Sequence, residues 1–208
     1  MQRPIERERA LTDRRGRSVR KSAADVDRDD RRVKRTTRAL IQALVHLSIE
    51  KGYSAITVQD LLDRADVGRS TFYAHYRGKD DLVIRSFERM LEGLDRRMGP
   101  EPGRLAPVRE LFEHVGGFNA FHRAMTRGGM LDRLFRAGTA TLAKTIAARL
   151  PAASPLPPDM AAHALAGAVF SMLRHWIDTG GPRSPAEMDR IFHALVGQAL
   201  VRPANRSS

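Results

Sequence analysis

Residues 57–79 constrain the fold more than any other segment, because they carry two short helical patterns separated by a tight turn. Thr57 and Asp60 stand three positions apart, the spacing at which a hydroxyl and a carboxylate cap one helix N-terminus. A turn at residues 65–67 follows, and the second helix is expected to begin near Gly68. The apolar face of the first helix is predicted to comprise Val58, Leu61 and Leu62.

The second of these helices combines one core residue with several exposed polar ones. Phe72 has the spacing that returns a side chain to the core, whereas five neighbours are left for other surfaces. Exposed donors on a short helix of a helix-turn-helix suit the major groove of DNA. Two roles stay open for Tyr76, a phosphate donor or a core ring. The five exposed neighbours are Arg69, Ser70, Thr71, Tyr73 and His75.

The run Ser-Thr-Phe-Tyr-Ala-His-Tyr at residues 70–76, followed by Gly-Lys-Asp-Asp-Leu at residues 78–82, resembles the DNA-binding domain of TetR-type repressors. The resemblance covers about residues 33–95, and the rest of the chain matches only in its helical pattern. It implies an all-helical homodimer that binds a palindromic operator and releases it when a small molecule enters the C-terminal domain. Asp66 stands in the turn where many members have glycine, and we expect it to adopt the left-handed conformation, which aspartate tolerates better than most residues.

Specific contacts to DNA are predicted for the residues that match the motif. Arg69 is the best candidate for a base contact, because its fork can bond both acceptors of a guanine edge; a phosphate contact is its alternative role. Lys79, at the start of the following helix, is expected to clamp a phosphate. The resemblance places Tyr73 on the DNA backbone or a thymine methyl and His75 on a phosphate. The remaining predicted DNA contacts are Thr57, Gln59, Ser70, Thr71 and, in one of its two roles, Tyr76.

Composition agrees with a polyanionic partner. The chain has 208 residues, 42% of them hydrophobic, and a formal net charge of +12, which DNA, RNA or an anionic membrane surface would satisfy. Among these three partners, the helix-turn-helix motif favours DNA. The chain contains no cysteine, which excludes thiol catalysis, thiol redox sensing and thiolate metal sites. No apolar run has the length of a membrane span, and we predict a soluble, cytoplasmic protein.

The predicted organisation is all-α, with a three-helix helix-turn-helix domain joined to a helical ligand-binding and dimerisation domain. Residues 1–30 are predicted to form a disordered basic tail, although a basic arm that contacts phosphates or the minor groove is the alternative. Order is expected to begin near Val33. The DNA-binding domain is assigned to residues 31–78, the C-terminal domain to residues 79–202 and a second disordered tail to residues 203–208.

The C-terminal domain supplies two further sets of candidate residues. A pocket for a hydrophobic or aromatic effector is predicted from clustered apolar side chains, each of which has ordinary core packing as its alternative. Two adjacent helices with wide apolar arcs predict a four-helix dimer interface, the alternative being a monomer core. The pocket candidates are Phe112, Phe118, Phe121, His122, Met125, Phe135, Met172 and Trp176. The interface candidates are Leu165, Val169, Ile191, Phe192, Leu195 and Leu200.

No catalytic centre, cofactor or metal site is predicted. The glycine pairs lack the strand-then-helix context of phosphate loops, and the histidines lack the spacing of a recognised metal site. The sequence therefore predicts a sequence-specific transcriptional regulator, with repression favoured and activation left open. A non-specific architectural DNA-binding protein is the alternative, since charge alone suffices for it.

Overall fold

The structure is a computed structural model in which helices account for nearly all of the secondary structure. No helix in the described parts combines the length and the apolar character that a membrane crossing requires. The described residues are 11–12, 18–19, 23–99, 104–117, 121, 125, 129–150 and 156–201.

The chain divides into two compact units, residues 1–39 and residues 40–208. In the first unit, strands β1 (Leu11–Thr12) and β2 (Ser18–Val19) pair antiparallel. Helix α1 (Ala23–Lys51) runs through the boundary between the units. The division does not separate residues 40–78 from those that follow, so the boundary that the sequence suggests at residue 78 stays a prediction.

Helix α1 begins well before Val33, at Ala23, within the segment that the sequence suggests is a disordered tail. Apolar periodicity is absent there, but other helix signals are present. The sequence of the first turns is rich in acidic residues, which favours a helix N-terminus, and Asp27 precedes Arg31 by four positions. Most of residues 1–22 and all of residues 203–208 lie outside the described part of the chain.

The all-α prediction is confirmed by the second unit, where a 3₁₀ turn and seven further α-helices follow α1 within the described residues. The last of them, α8, begins with a capping box, because Ser184 N–H donates to Glu187 Oε2 at 2.8 Å and Glu187 N–H donates to Ser184 Oγ at 3.3 Å. The elements are the 3₁₀ turn Tyr53–Ala55, α2 Val58–Ala65, α3 Arg69–Tyr73, α4 Lys79–Met98, α5 Val108–Gly116, α6 Met130–Ala147, α7 Pro158–Asp178 and α8 Pro185–Val201.

The described residues of the second unit form two apolar clusters. The N-terminal core is built by α1 to α4, and it also takes in Met125 together with Met130 and Leu134 of α6. The C-terminal core joins α4 to α8 and includes Phe112, Val169 and other buried side chains. Helices α4 and α6 therefore contribute to both cores, since Phe87 of α4 and Phe135 of α6 pack against each of them.

Helix α6 approaches its neighbours closely at Gly138. A Cβ atom at this position would lie 2.4 Å from Cζ of Phe170 and 2.7 Å from Cε1 of Phe87. Those rings come from α7 and α4, and their centroids are 6.1 Å apart. Glycine is thus required here by the packing of three helices.

We expect Gly138→Ala to lower the free energy of unfolding by about 1–2 kcal/mol, since overpacking costs about 1–3 kcal/mol and outweighs the better helix propensity of alanine. The matched control is Gly93→Ala in α4, where the nearest atoms to a new Cβ are flexible arginine ends at 3.8 and 3.9 Å. The free energy of unfolding of that variant should rise by about 0.5–1 kcal/mol, because alanine has the better helix propensity. Urea unfolding measures both, and equal stabilisation by the two alanines would contradict the packing argument.

Candidate DNA-binding site

The N-terminus of α2 is closed by the predicted capping box, which the structure confirms. The backbone N–H of Asp60 donates to Thr57 Oγ1 at 3.1 Å, and that of Thr57 donates to Asp60 Oδ2 at 2.7 Å. The Thr57 hydroxyl donates to the same carboxylate, and Lys51 Nζ lies 2.8 Å from it. Hydrogen bonds from Lys51 and Thr57 hold the pKa of the Asp60 carboxyl well below its usual value of 3.8. The first turn of α2 is thereby fixed.

The turn between α2 and α3 depends on Asp66, which has φ 50° and ψ 52°. Among the residues that the structure describes, it is the one non-glycine with positive φ, and the predicted left-handed conformation is confirmed. The next backbone N–H, of Val67, donates to the carbonyl of Leu62 at 3.0 Å. This bond closes the end of α2 and directs the chain into α3.

Helix α3 presents polar side chains on a short, anchored element. Phe72 is fully buried in the N-terminal core and packs edge-on against the ring of Tyr73, with 5.3 Å between centroids. Tyr73 itself is 51% exposed, whereas Thr71 is half-buried. The other exposed residues of α3 and the turn after it are Arg69, Ser70, Ala74 and His75.

A chain of exposed side chains joins α2 to the first residue of α3. Arg69 Nη2 donates to Gln59 Oε1 at 2.7 Å, and Gln59 Nε2 donates to Asp63 Oδ1 at 2.6 Å. Asp63 was not singled out by the sequence analysis, although its spacing of four residues from Gln59 on a helix is a detectable signal.

Tyr76 lies in the core, which is one of its two predicted roles. It is buried, its ring centroid is 5.6 Å from that of Phe72, and its hydroxyl accepts a hydrogen bond of 2.7 Å from Arg89 Nη2. The hydroxyl thereby links α4 to the end of the α3 segment.

The ammonium group of Lys79 is directed at backbone carbonyls. Its Nζ donates to the carbonyl oxygens of Tyr53, Ser54 and Ile56 at 2.9, 3.3 and 2.6 Å, and it lies 4.7 Å from the centroid of the Tyr53 ring. Burial lowers the pKa of Lys79 from its ordinary value. Three carbonyl acceptors match the three donors of an ammonium group, so the side chain closes the 3₁₀ turn.

Asp80 connects three elements. Its carboxylate accepts a hydrogen bond from the Tyr53 hydroxyl and forms an ion pair with Arg133 of α6. Burial alone would raise the pKa of the Asp80 carboxyl, but the bonds from Tyr53 and Arg133 outweigh it and lower that pKa. Burial and the neighbouring carboxylate raise the pKa of Tyr53. The role of Arg133 is not predictable from sequence, because no local pattern relates it to Asp80, which lies far away in the chain.

The predicted effector-binding residues are distributed over both cores. Phe112 and Trp176 pack edge-on in the C-terminal core, and the indole N–H of Trp176 donates to the carbonyl of Arg183 at 2.8 Å. Met172 is half-buried against the same core. Met125 is buried in the N-terminal core with Phe121 packed against it, and Phe135 contacts both cores. Phe118 and His122 lie outside the described residues.

The predicted interface residues separate into a buried and an exposed group. Val169 and Phe192 are buried in the C-terminal core, and Leu165 is half-buried against it. Ile191 and Leu195, one turn apart on α8, are 38% and 59% exposed. The side chain of Leu200 is outside the described part of the structure.

Residues 40–85 match the family model for bacterial regulatory proteins of the tetR family. The chain is 39% identical over 61 residues to the uncharacterized HTH-type transcriptional regulator YxbF of Bacillus subtilis (strain 168), a match that covers 29% of this chain and 16% of YxbF. It is 30% identical over 96 residues to the HTH-type transcriptional repressor KstR of Rhodococcus jostii (strain RHA1), a match that covers 45% of each protein. The chain thus spans at most about half the length of the curated relatives it matches.

The similarity of fold extends beyond the DNA-binding segment. The crystal structure of Thermus thermophilus FadR, a TetR family transcriptional repressor in complex with lauroyl-CoA, aligns with a TM-score of 0.55 at 20% sequence identity, covering 85% of this chain and 99% of FadR. At that identity the likeness concerns the fold alone. The capped helix-turn-helix thus lies within residues 40–85, the segment that matches the tetR family model, and the helical fold around it is shared with the FadR structure.

Proposed function

We propose that this protein is a sequence-specific transcriptional repressor that binds a palindromic operator and is released by a small hydrophobic ligand. The exposed polar face of α3 is the observation that carries the proposal. Arg69, Ser70 and Tyr73 point to solvent from a helix whose Phe72 is buried, and the turn before it is fixed at Asp66. A short, anchored helix with outward donors fits a major groove.

Within this proposal Arg69 reads a base, because it is exposed in the first turn of α3 and its guanidinium suits the acceptor pair of a guanine. The neighbouring hydroxyl and imidazole groups contact phosphates and sugars, which fixes the register of the protein on the duplex. These backbone contacts are assigned to Ser70, Thr71, Tyr73 and His75, with Thr57 at the facing end of α2. Gln59 receives no DNA contact in the proposal, because its amide is engaged by Arg69 and Asp63.

Lys79 and Tyr76 receive structural roles in the proposal. The three donors of Lys79 are directed at carbonyl oxygens, and a phosphate would have to compete for them. The Tyr76 hydroxyl is buried and engaged by Arg89. We therefore assign both residues to the support of the recognition helix.

A homodimer is the second part of the proposal, because a palindrome requires two recognition helices related by a two-fold axis. The exposed apolar side chains Ile191 and Leu195 on α8 and Met160 on α7 support an interface formed by these two helices. Val169 and Phe192 stabilise the protomer that carries it, since both are buried within one chain. Exposed small residues on α7, Ala164 and Ala168, favour close approach of a partner helix.

A hydrophobic effector is the third part. Phe121, Phe135 and Met172 are half-buried, and Phe135 lies where the two cores meet, so a ligand there would contact helices that reach both domains. Phe112 and Trp176 are already paired with each other, and we give them a supporting role. The lauroyl-CoA complex of FadR is consistent with an apolar ligand in a protein of this fold.

The alternative function is non-specific, architectural DNA binding, which the net charge of +12 favours. Selection of bound sequences from a random DNA library at physiological salt separates the two functions. We expect one palindrome, whose half-site centres are about one helical turn apart. Tight binding with no recovered motif would contradict the proposal and support the architectural function, which predicts steep salt dependence and little sequence preference.

Lys79→Met should lower the free energy of unfolding by about 1.5–3 kcal/mol, because carbonyl groups lose hydrogen bonds from a charged donor. Urea unfolding provides the measurement, with Lys144→Met at an exposed position of α6 as the control. An unchanged stability, combined with weaker binding to all DNA sequences, would instead assign Lys79 to a phosphate.

Leu195→Glu should convert the dimer to monomers and weaken operator binding, because a charge would be buried in an apolar interface. Light scattering coupled to size exclusion gives the oligomeric state. Ile49→Glu on α1 is the matched control, since Ile49 is 57% exposed and Leu195 is 59% exposed. A stable dimer of the Leu195 variant would refute this interface.

A further inference from the structure

We propose that Gln59 is a positioning residue that holds the guanidinium of Arg69 in the orientation for reading one base, and that Asp63 in turn fixes Gln59. The inference rests on the proposed function and gives its recognition helix a specificity determinant on the preceding helix. The three side chains form one continuous chain of hydrogen bonds, Arg69 to Gln59 at 2.7 Å and Gln59 to Asp63 at 2.6 Å.

An amide side chain suits the position between a cation and an anion, because it carries an acceptor and a donor group. Gln59 offers a carbonyl oxygen to the guanidinium of Arg69 and an NH₂ group to the carboxylate of Asp63. A reversed amide would point NH₂ at the guanidinium and the carbonyl oxygen at the carboxylate, and both contacts would be repulsive. The two charges therefore select one amide orientation, in which the oxygen atom faces Arg69.

The bond to Gln59 leaves most of the hydrogen-bonding capacity of Arg69 for DNA. A guanidinium carries five N–H donors in a planar fork, and the contact with Gln59 uses one of them. Bidentate recognition of a guanine edge needs two. Gln59 can thus restrain the plane of the fork without occupying the donors that read the base.

Restraint matters because an arginine at the start of a recognition helix lies near both bases and phosphates. An unrestrained side chain would exchange between a base edge and the backbone, and only the first contact carries sequence information. Without Gln59 we therefore expect weaker discrimination at the Arg69 base pair, while affinity for non-specific DNA stays the same.

The test compares sequence selection and binding affinity of the full-length parent with three variants. Arg69→Ala should reduce the preference at one base pair of each half-site by roughly tenfold or more. Gln59→Leu should reduce the preference at that same base pair by about threefold to tenfold, with non-specific affinity unchanged within about twofold. Asp63→Ala should act at the same base pair, more weakly.

Arg64→Leu is the matched control, because Arg64 also lies exposed on α2 and forms a two-bond pair with Glu50 of α1, at 2.9 Å for each bond. It removes a hydrogen-bonded surface partner from α2 without touching Arg69, and we expect an unchanged base preference. Urea unfolding of every variant distinguishes a change in base recognition from a loss of folding stability.

Three results would overturn the inference. If Gln59→Leu changes a base pair different from that of Arg69→Ala, Gln59 reads DNA directly. If Gln59→Leu leaves the preference at every base pair intact, Gln59 does not position Arg69. If Arg69→Ala leaves the motif unchanged, Arg69 reads no base, although a parental palindrome would still support the proposed function. A parent that selects no motif would instead contradict the proposed function itself.

Discussion

A single ammonium group ties the entry of the helix-turn-helix to the helix that leaves it. Lys79 donates hydrogen bonds to three carbonyl oxygens of the segment 53–56 and lies against the Tyr53 ring. The adjacent Asp80 accepts a hydrogen bond from the hydroxyl of that same tyrosine. Burial opposes the charge on Lys79, and the charge-assisted bonds compensate for it. Because α2 and α3 lie between these two anchoring points in the chain, their placement depends on this contact.

The same site extends into the C-terminal helices. Arg133 of α6 pairs with Asp80, and Met130 and Leu134 of that helix are buried in the N-terminal core. Displacement of α6 must therefore break an ion pair and expose apolar surface, or carry the start of α4 with it. Helices α4 and α6 thus both connect the two cores, and α6 does so through the Arg133 ion pair as well as through apolar contacts.

Features determined by neighbouring residues were predictable from sequence, whereas features determined by long-range packing were not. The capping box at Thr57 and the left-handed Asp66 follow from spacing and residue type, and both are confirmed. The ammonium of Lys79 finds its acceptors more than twenty positions away, so its destination depends on the folded chain. Likewise, an apolar stripe on a helix gives no distinction between a protomer core and a partner, which is why Phe192 was assigned to an interface while it lies buried within one chain.

The conformation of Asp66 also limits which residue types can replace it. Its backbone, at φ 50°, suits glycine, asparagine and aspartate, whereas a β-branched residue would be strained there. The crossing angle of α2 and α3 is thus coupled to the chemistry of one exposed position that takes no part in the core. A substitution at this one turn position would therefore alter the whole polar face of α3, because a changed angle would tilt every side chain of that helix at once.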